Sequence, residues 1–305
     1  MKPLKKPIGI FLALSFGLSL TGVLLWNLMA LPPVYAATIT VNTTADEYNN
    51  DGDCSLREAV AAANLDTAVD ACTPGSDHDL IQFSLTTPAI ITLTMGKINI
   101  QTDPLTIAGP GAGSLTIDGN QAGRIFDVVT TVPVTLTGMT LQNGLAAQDG
   151  GAVRSSGELT IVDAVLQNNV ASADGGAIDV DGDLRLENSQ VLSNTANGEG
   201  GGVSAVGSQT TIVNGRFLNN RSGSFGGAVY ANGAISVDGT DFISNTAQLY
   251  AGGIWAWNAA SVANATFEQN SALNLDAGAI YVRYDLQVSA SSFVSNTAAQ
   301  NIGAI

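Results

Sequence analysis

From Gly227 to Gly252 the chain reads GAVYANGAISVDGTDFISNTAQLYAG. A small-small-aliphatic triplet, Gly227-Ala228-Val229, opens the stretch. The alternation Ile235/Val237 follows, and Phe242 then stands three residues before Asn245. Apolar residues spaced by two, separated by Asn, Asp and Gly, are the pattern of short strands joined at corners that tolerate positive φ. Working outward, the triplet returns as Gly151-Ala152-Val153, Gly176-Ala177-Ile178, Gly201-Gly202-Val203, Gly252-Gly253-Ile254, Gly278-Ala279-Ile280 and Gly303-Ala304-Ile305, at spacings of 25, 25, 26, 25, 26 and 25 residues. A second column runs in register with it: Val165/Asn168, Val191/Asn194, Phe217/Asn220, Phe242/Asn245, Phe267/Asn270 and Phe293/Asn296, with Thr140/Asn143 as a weaker earlier copy.

A unit of about 25 residues with three strands and no helix cannot bury its apolar face alone. Stacking coils at about 4.8 Å closes the backbone hydrogen bonds and makes a continuous core. The expectation is an all-β chain, a right-handed single-stranded parallel β-helix with three strands per coil. Phe217, Phe242, Phe267 and Phe293 would form an aromatic ladder and the asparagines an amide ladder. Corners fall at Gly157, Gly182, Gly207 and Gly233, and again at Asp163, Asn188, Asn214, Gly239 and Asn264.

Residues 1–36 read as a signal peptide: Lys2, Lys5 and Lys6, an apolar run from Ile8 to Leu31, then Val34-Tyr35-Ala36 as a cleavage signature. The run is also long enough for an uncleaved anchor. Removing the leader leaves eight basic residues against 26 acidic ones, a net charge of −18. Such a surface repels phosphate backbones, so nucleic acid is not an expected partner. Localisation is expected outside the cell or at its surface, the outer membrane included. Cys54 and Cys72, the two cysteines of an exported chain, read as one disulfide. Residues 37–85 form a cap and 86–305 the solenoid. Ile305 stops three residues into a coil, which reads as a C-terminally incomplete fragment; membrane association would come through a region beyond it or through an uncleaved leader.

Gly175-Gly176-Ala177-Ile178 and Phe242-Ile243-Ser244-Asn245 resemble the GGAI and FxxN tetrapeptides of the polymorphic outer-membrane protein family over roughly residues 105–305. That resemblance implies a β-helical passenger with an adhesive role at the cell surface; the family's C-terminal barrel has no counterpart in this sequence. Cys54-Ser55-Leu56-Arg57-Glu58-Ala59 with Ala62-Ala63-Asn64 resembles the CSLREA domain, an N-terminal module of exported bacterial β-helix proteins. Read physically, Ser55-x-x-Glu58 is a capping box, and Leu56, Ala59, Val60 and Ala63 share one helical face that could close the solenoid.

Three patterns carry candidate chemistry. The outward position after each triplet reads Arg154, Asp179, Ser204, Tyr230, Trp255 and Tyr281, with Trp257 two residues beyond Trp255. Tyr230, Trp255, Trp257 and Tyr281 are therefore candidate ligand-binding residues for a glycan or protein, weighed against packing under a loop. Glu47, Asn49, Asp51, Asp53, Ser55 and Glu58 follow the spacing of a calcium loop, although Glu replaces Asp at the first position and no helix precedes it. The competing reading is a polar turn plus the capping box; Ca²⁺ is the sole cofactor the sequence suggests. Asp179 and Asp181 are expected to face outward as a solvated acidic edge or a calcium pair. Catalytic residues are not found. A polysaccharide lyase or hydrolase of the pectin-lyase-like type would need clustered acids with His or basic partners, whereas His78 lies in the cap and Arg154, Arg185, Arg216 and Arg283 occupy different coil positions.

Overall fold

The computed structural model describes residues 37–300 and 303–305; the leader expected over 1–36 lies outside the described residues. The described chain is a parallel β-solenoid of about nine turns with one helix. Its strands stack in four ladders. Sheet 1 has eight strands, from Ile98–Ile100 to Ile280–Val282, and carries the triplets. Sheet 2 has ten, from β1 (Ala37–Val41) to Leu286–Ser289. Sheet 3 has nine, from Ala89–Thr92 to Ser292–Val294, and carries the phenylalanines. Sheet 4 has seven strands of two residues each, from Leu145–Ala146 to Thr297–Ala298. Sheet 4 is an addition to the three strands expected per coil. Segments such as Thr246-Ala247 are too short to show a period of two, so their inward alanine is the only trace in the sequence.

Register follows the repeat. Phe217 pairs with Phe242, Phe242 with Phe267 and Phe267 with Phe293. Their rings stack at 4.9, 4.7 and 5.0 Å, the spacing of the strands themselves. Beside them runs the amide ladder. Each Asn accepts, through Oδ1, from both the backbone N–H and the Nδ2 of the Asn one coil earlier, at 2.9–3.0 Å, from Asn169 through Asn194, Asn220, Asn245 and Asn270 to Asn296. Asn169, Asn194, Asn220, Asn245 and Asn270 are fully buried, so each would be costly to leave unpaired.

Two early members of that column shift by one residue. Leu166, not Val165, lines up with Val191, and Asn169 rather than Asn168 enters the ladder. Asn168 instead takes the left-handed corner at φ 55°. In the coil before, Leu141 is buried, Asn143 turns the corner, and Gly144 sits at the ladder position, where its N–H donates to Asn169 Oδ1. Adjacent Asn-Asn and Asn-Gly pairs leave the corner and the rung indistinguishable by spacing alone.

The corners at Asp163, Asn188, Asn214, Gly239 and Asn264 do have positive φ. Those at Gly157, Gly182, Gly207 and Gly233 do not, and glycine serves them differently. A Cβ on Gly182 would run into the backbone of Gly157, and one on Gly207 into Gly182, because successive coils approach there without room for a side chain.

At the N-terminal end α1 (Leu56–Leu65) is inserted between β1 and β2 (Asp79–Phe83), the first two rungs of sheet 2. Ser55 and Glu58 complete the reciprocal capping box. Leu56, Ala59, Val60, Ala62 and Ala63 are buried on the solenoid. Arg57 donates to the carbonyls of Gly96 and Lys97, and Asn64 bonds the backbone of Asn99 and Gln101. The Cys54–Cys72 disulfide ties the segment before the helix to the segment after it. Among the described residues no helix is long and apolar enough to cross a membrane.

Candidate functional site

Sheet 1 sets one side chain per coil on its outer face. Strand register aligns Asn99, Asp127, Arg154, Asp179, Ser204, Tyr230, Trp255 and Tyr281 in a single column. A second column comes from the loop before each triplet. Backbone bonds from Gly150 to Asp174, Gly175 to Glu199, Gly200 to Phe225 and Gly226 to Tyr250 place Asp149, Asp174, Glu199, Phe225 and Tyr250 on successive coils. Together the columns border one face, charged toward the N terminus and aromatic toward the C terminus.

The charged part satisfies itself. Lys97 and Arg124 both pair with Asp127. Arg154 reaches Asp181 at 2.9 Å and Asp179 at 3.7 Å. In the loop column Asp149 Oδ1 accepts from the N–H of Asp174, and Asp174 Oδ1 from that of Glu199. Asp179 therefore departs from the solvated edge expected of it. It is 4 % exposed, because neighbouring coils and the loop column cover the outer face here. Burial pushes its carboxyl up to about 7, aided by Asp149 and Asp181 and opposed by a Ser204 hydrogen bond and by Arg154.

The aromatic part encloses a cleft of about 290 Å³ lined by Glu199, Phe225, Tyr230, Tyr250, Trp255, Trp257, Tyr281 and Arg283. Tyr230, Trp255 and Tyr281 stack nearly parallel, with centroids 4.7 and 6.2 Å apart. Phe225 stacks on Trp255 at 5.4 Å, while Tyr250 and Trp257 lie tilted against their neighbours by 53° and 42°. Trp255 is thus not the exposed platform its outward register suggests: Phe225 and its column neighbours leave it 6 % exposed. Tyr230 and Tyr281 are half-buried, and Trp257 at 39 % is the accessible tryptophan. The Arg283 guanidinium lies 3.9 Å above its ring. At the other end Tyr230 hydrogen-bonds Glu199. Burial pushes the phenol up to about 12, with Glu199 adding to the shift, and burial followed by Asp174 raises the Glu199 carboxyl.

The acidic loop of the cap is brought together in part. Glu47, Asp51 and Asp53 have carboxylate oxygens within 4.8 Å of one another, as do Asp53, Glu58 and Asp70. Asn49 donates its amide to Glu47 and Asp51. Both oxygens of Glu58 accept backbone N–H groups, from Asn49 and Ser55, so this carboxylate serves the helix cap. Asp70, absent from the sequence reading, accepts from the backbone of Asp51 and Gly52. Burial and the crowd of like charges raise the carboxyls of Glu47 and Asp53.

No family model, curated protein or solved structure matches the chain. Reading the triplet alone misses Glu199, Phe225, Tyr250 and Arg283. The first three stand two residues before the Gly of a triplet, so extending the in-register alignment by two positions exposes them; Arg283 shares its coil position with Trp257.

Proposed function

We propose that this chain is an exported or cell-surface β-solenoid, adhesive or structural in role, that binds a glycan or protein ligand through its outer face. The observation that carries the reading is the aromatic cleft. Six aromatic side chains with a carboxylate and a guanidinium around about 290 Å³ combine broad apolar contact with a few directed polar groups, the composition ligand pockets share. The leader-like N terminus, the acidic balance and the GGAI/FxxN and CSLREA resemblances support an extracellular setting. The test is binding of the purified protein to glycan arrays and to whole cells, with Trp257→Ala and Tyr281→Ala as variants. Loss of binding with the fold retained is expected; undiminished binding removes the cleft from the reading.

A second reading, a polysaccharide lyase or hydrolase of the pectin-lyase-like type, is favoured by one observation. Asp179, a carboxyl raised to about 7 beside Arg154, lies in the column that continues the cleft. Release of reducing ends or unsaturated products from uronate polymers, with calcium present, would establish it, and Asp179→Asn should then abolish turnover. Calcium in the cap is a separate proposal resting on Glu47, Asn49, Asp51 and Asp53, with Asp70 alongside Asp53. Calorimetric titration of Ca²⁺ into the protein and into an Asp51→Asn variant tests it: heat in the first and none in the second is expected.

A further inference from the structure

The cleft is built on consecutive coils, and this restricts the shape of what it can hold. Glu199 belongs to one coil; Phe225 and Tyr230 belong to the next; Tyr250, Trp255 and Trp257 to the third; Tyr281 and Arg283 to the fourth. Strand spacing makes each step about 4.8 Å, so the backbones of Glu199 and Arg283 stand three steps, about 14 Å, apart along the solenoid axis. Aromatic side chains fill the three coils from Phe225 to Tyr281. A β-linked pyranose chain advances per residue by a distance close to one coil step. A chain lying along the axis would pass ring edges at each step, first Phe225 and Tyr230, then Tyr250, Trp255 and Trp257, then Tyr281.

The polar groups favour hydroxyls over charges. One acid and one base line the cleft, and each is already engaged: Glu199 with the Tyr230 hydroxyl, Arg283 with the Trp257 ring. A carboxylate and a guanidinium in such settings still accept from and donate to sugar hydroxyls. A formally charged ligand would meet a like charge at one end of the cleft and an opposite charge at the other, so the cleft offers it no net attraction. The phenols of Tyr230, Tyr250 and Tyr281 add groups that both donate and accept.

Resting on the glycan reading above, we propose that the cleft holds an unbranched, uncharged oligosaccharide along the solenoid axis, one sugar residue per coil over three coils, with Glu199 and Arg283 each bonding a terminal residue. The test is calorimetry on the purified protein with unbranched β-1,4-linked oligosaccharides of glucose, of N-acetylglucosamine and of xylose, each from one to six residues long. In whichever series binds, affinity is expected to climb about tenfold from one residue to three and to change by less than about twofold from four to six. Glu199→Gln and Arg283→Gln are each expected to weaken the trisaccharide about tenfold. Each should change the disaccharide by no more than about twofold, because a disaccharide can occupy the other end. Affinity that keeps rising beyond four residues, or that is complete with one, overturns the axial three-residue site while leaving glycan binding standing. Equal weakening of disaccharide and trisaccharide by either variant overturns the two-ended arrangement. Failure of every series to bind a folded protein removes the glycan reading itself.

Discussion

Two stretches of one face, built from the same two columns, behave in opposite ways. Between Asp127 and Asp179 the outward positions carry charges that close on one another: Arg154 spans Asp179 and Asp181, and Lys97 and Arg124 share Asp127. Between Tyr230 and Tyr281 the same positions carry rings that stack but leave a cleft among them. The backbone is equivalent in both, as the unbroken pairing of sheet 1 demonstrates. The difference lies in side-chain chemistry. Ion pairs draw long flexible groups together until their hydrogen bonds are met. Rings fixed one per coil stack face to face along the strand column and touch the loop column at Phe225–Trp255 and Tyr250–Tyr281, yet their edges still border a cleft.

That contrast can be broken at several points. Trp255→Ala should have the largest effect, because the ring is nearly buried between Tyr230, Tyr281 and Phe225. Removing it should cost about 3 kcal/mol in urea unfolding and abolish ligand binding. Asp179 should show itself through pH. Its folded pKa, about 7, lies above the ordinary carboxyl value, so the folded chain holds the proton more tightly than the unfolded chain. Stability from this group is full at acid pH and is lost as pH rises from about 4 through 7, by about 2 kcal/mol or more. Unfolding measured at pH 5 and pH 8 should give a gap that narrows in Asp179→Asn. A gap that is unchanged would mean that Asp179 is not the group responsible. Arg154→Met removes one buried and one exposed partner and should cost about 1 kcal/mol at pH 8, with little cost at pH 5, where Asp179 is neutral. Trp257→Ala should be milder for stability than Trp255→Ala, about 1 kcal/mol, since more than a third of the side chain is exposed, yet it should still weaken the ligand.

The repeat made most of the fold readable beforehand. A period of 25 or 26 residues leaves each coil few places to turn, and Phe242, Phe267 and Phe293 can align only one way. Reading failed where two neighbouring residues could exchange roles, as at Asn168 and Asn169, since corner and rung both favour asparagine. It failed again at Asp179, whereas at Trp255 the alternative of packing under a loop is what the structure shows. Their outward direction was legible, but exposure depends on what the next loop lays over them, and Phe225 and Tyr250 belong to a column with no apolar alternation of its own. The carboxylates of the cap illustrate a third limit. Glu47, Asp51 and Asp53 lie close in sequence and meet, whereas Asp70 comes from beyond the helix, beside Cys72, and meets Asp53 and Glu58.

The amide ladder also has a direction. From side chain to side chain, each Asn receives from the Asn before and donates to the Asn after, so the stack has a head and a tail, like a column of aligned arrows. A whole coil copied in tandem slots between its neighbours with every arrow still aligned. A copy of any other length would displace the arrow onto a corner. Gene duplication in such a chain is therefore metered in complete turns, and the outer columns, released from that constraint, are free to change from salt bridges to rings from one turn to the next.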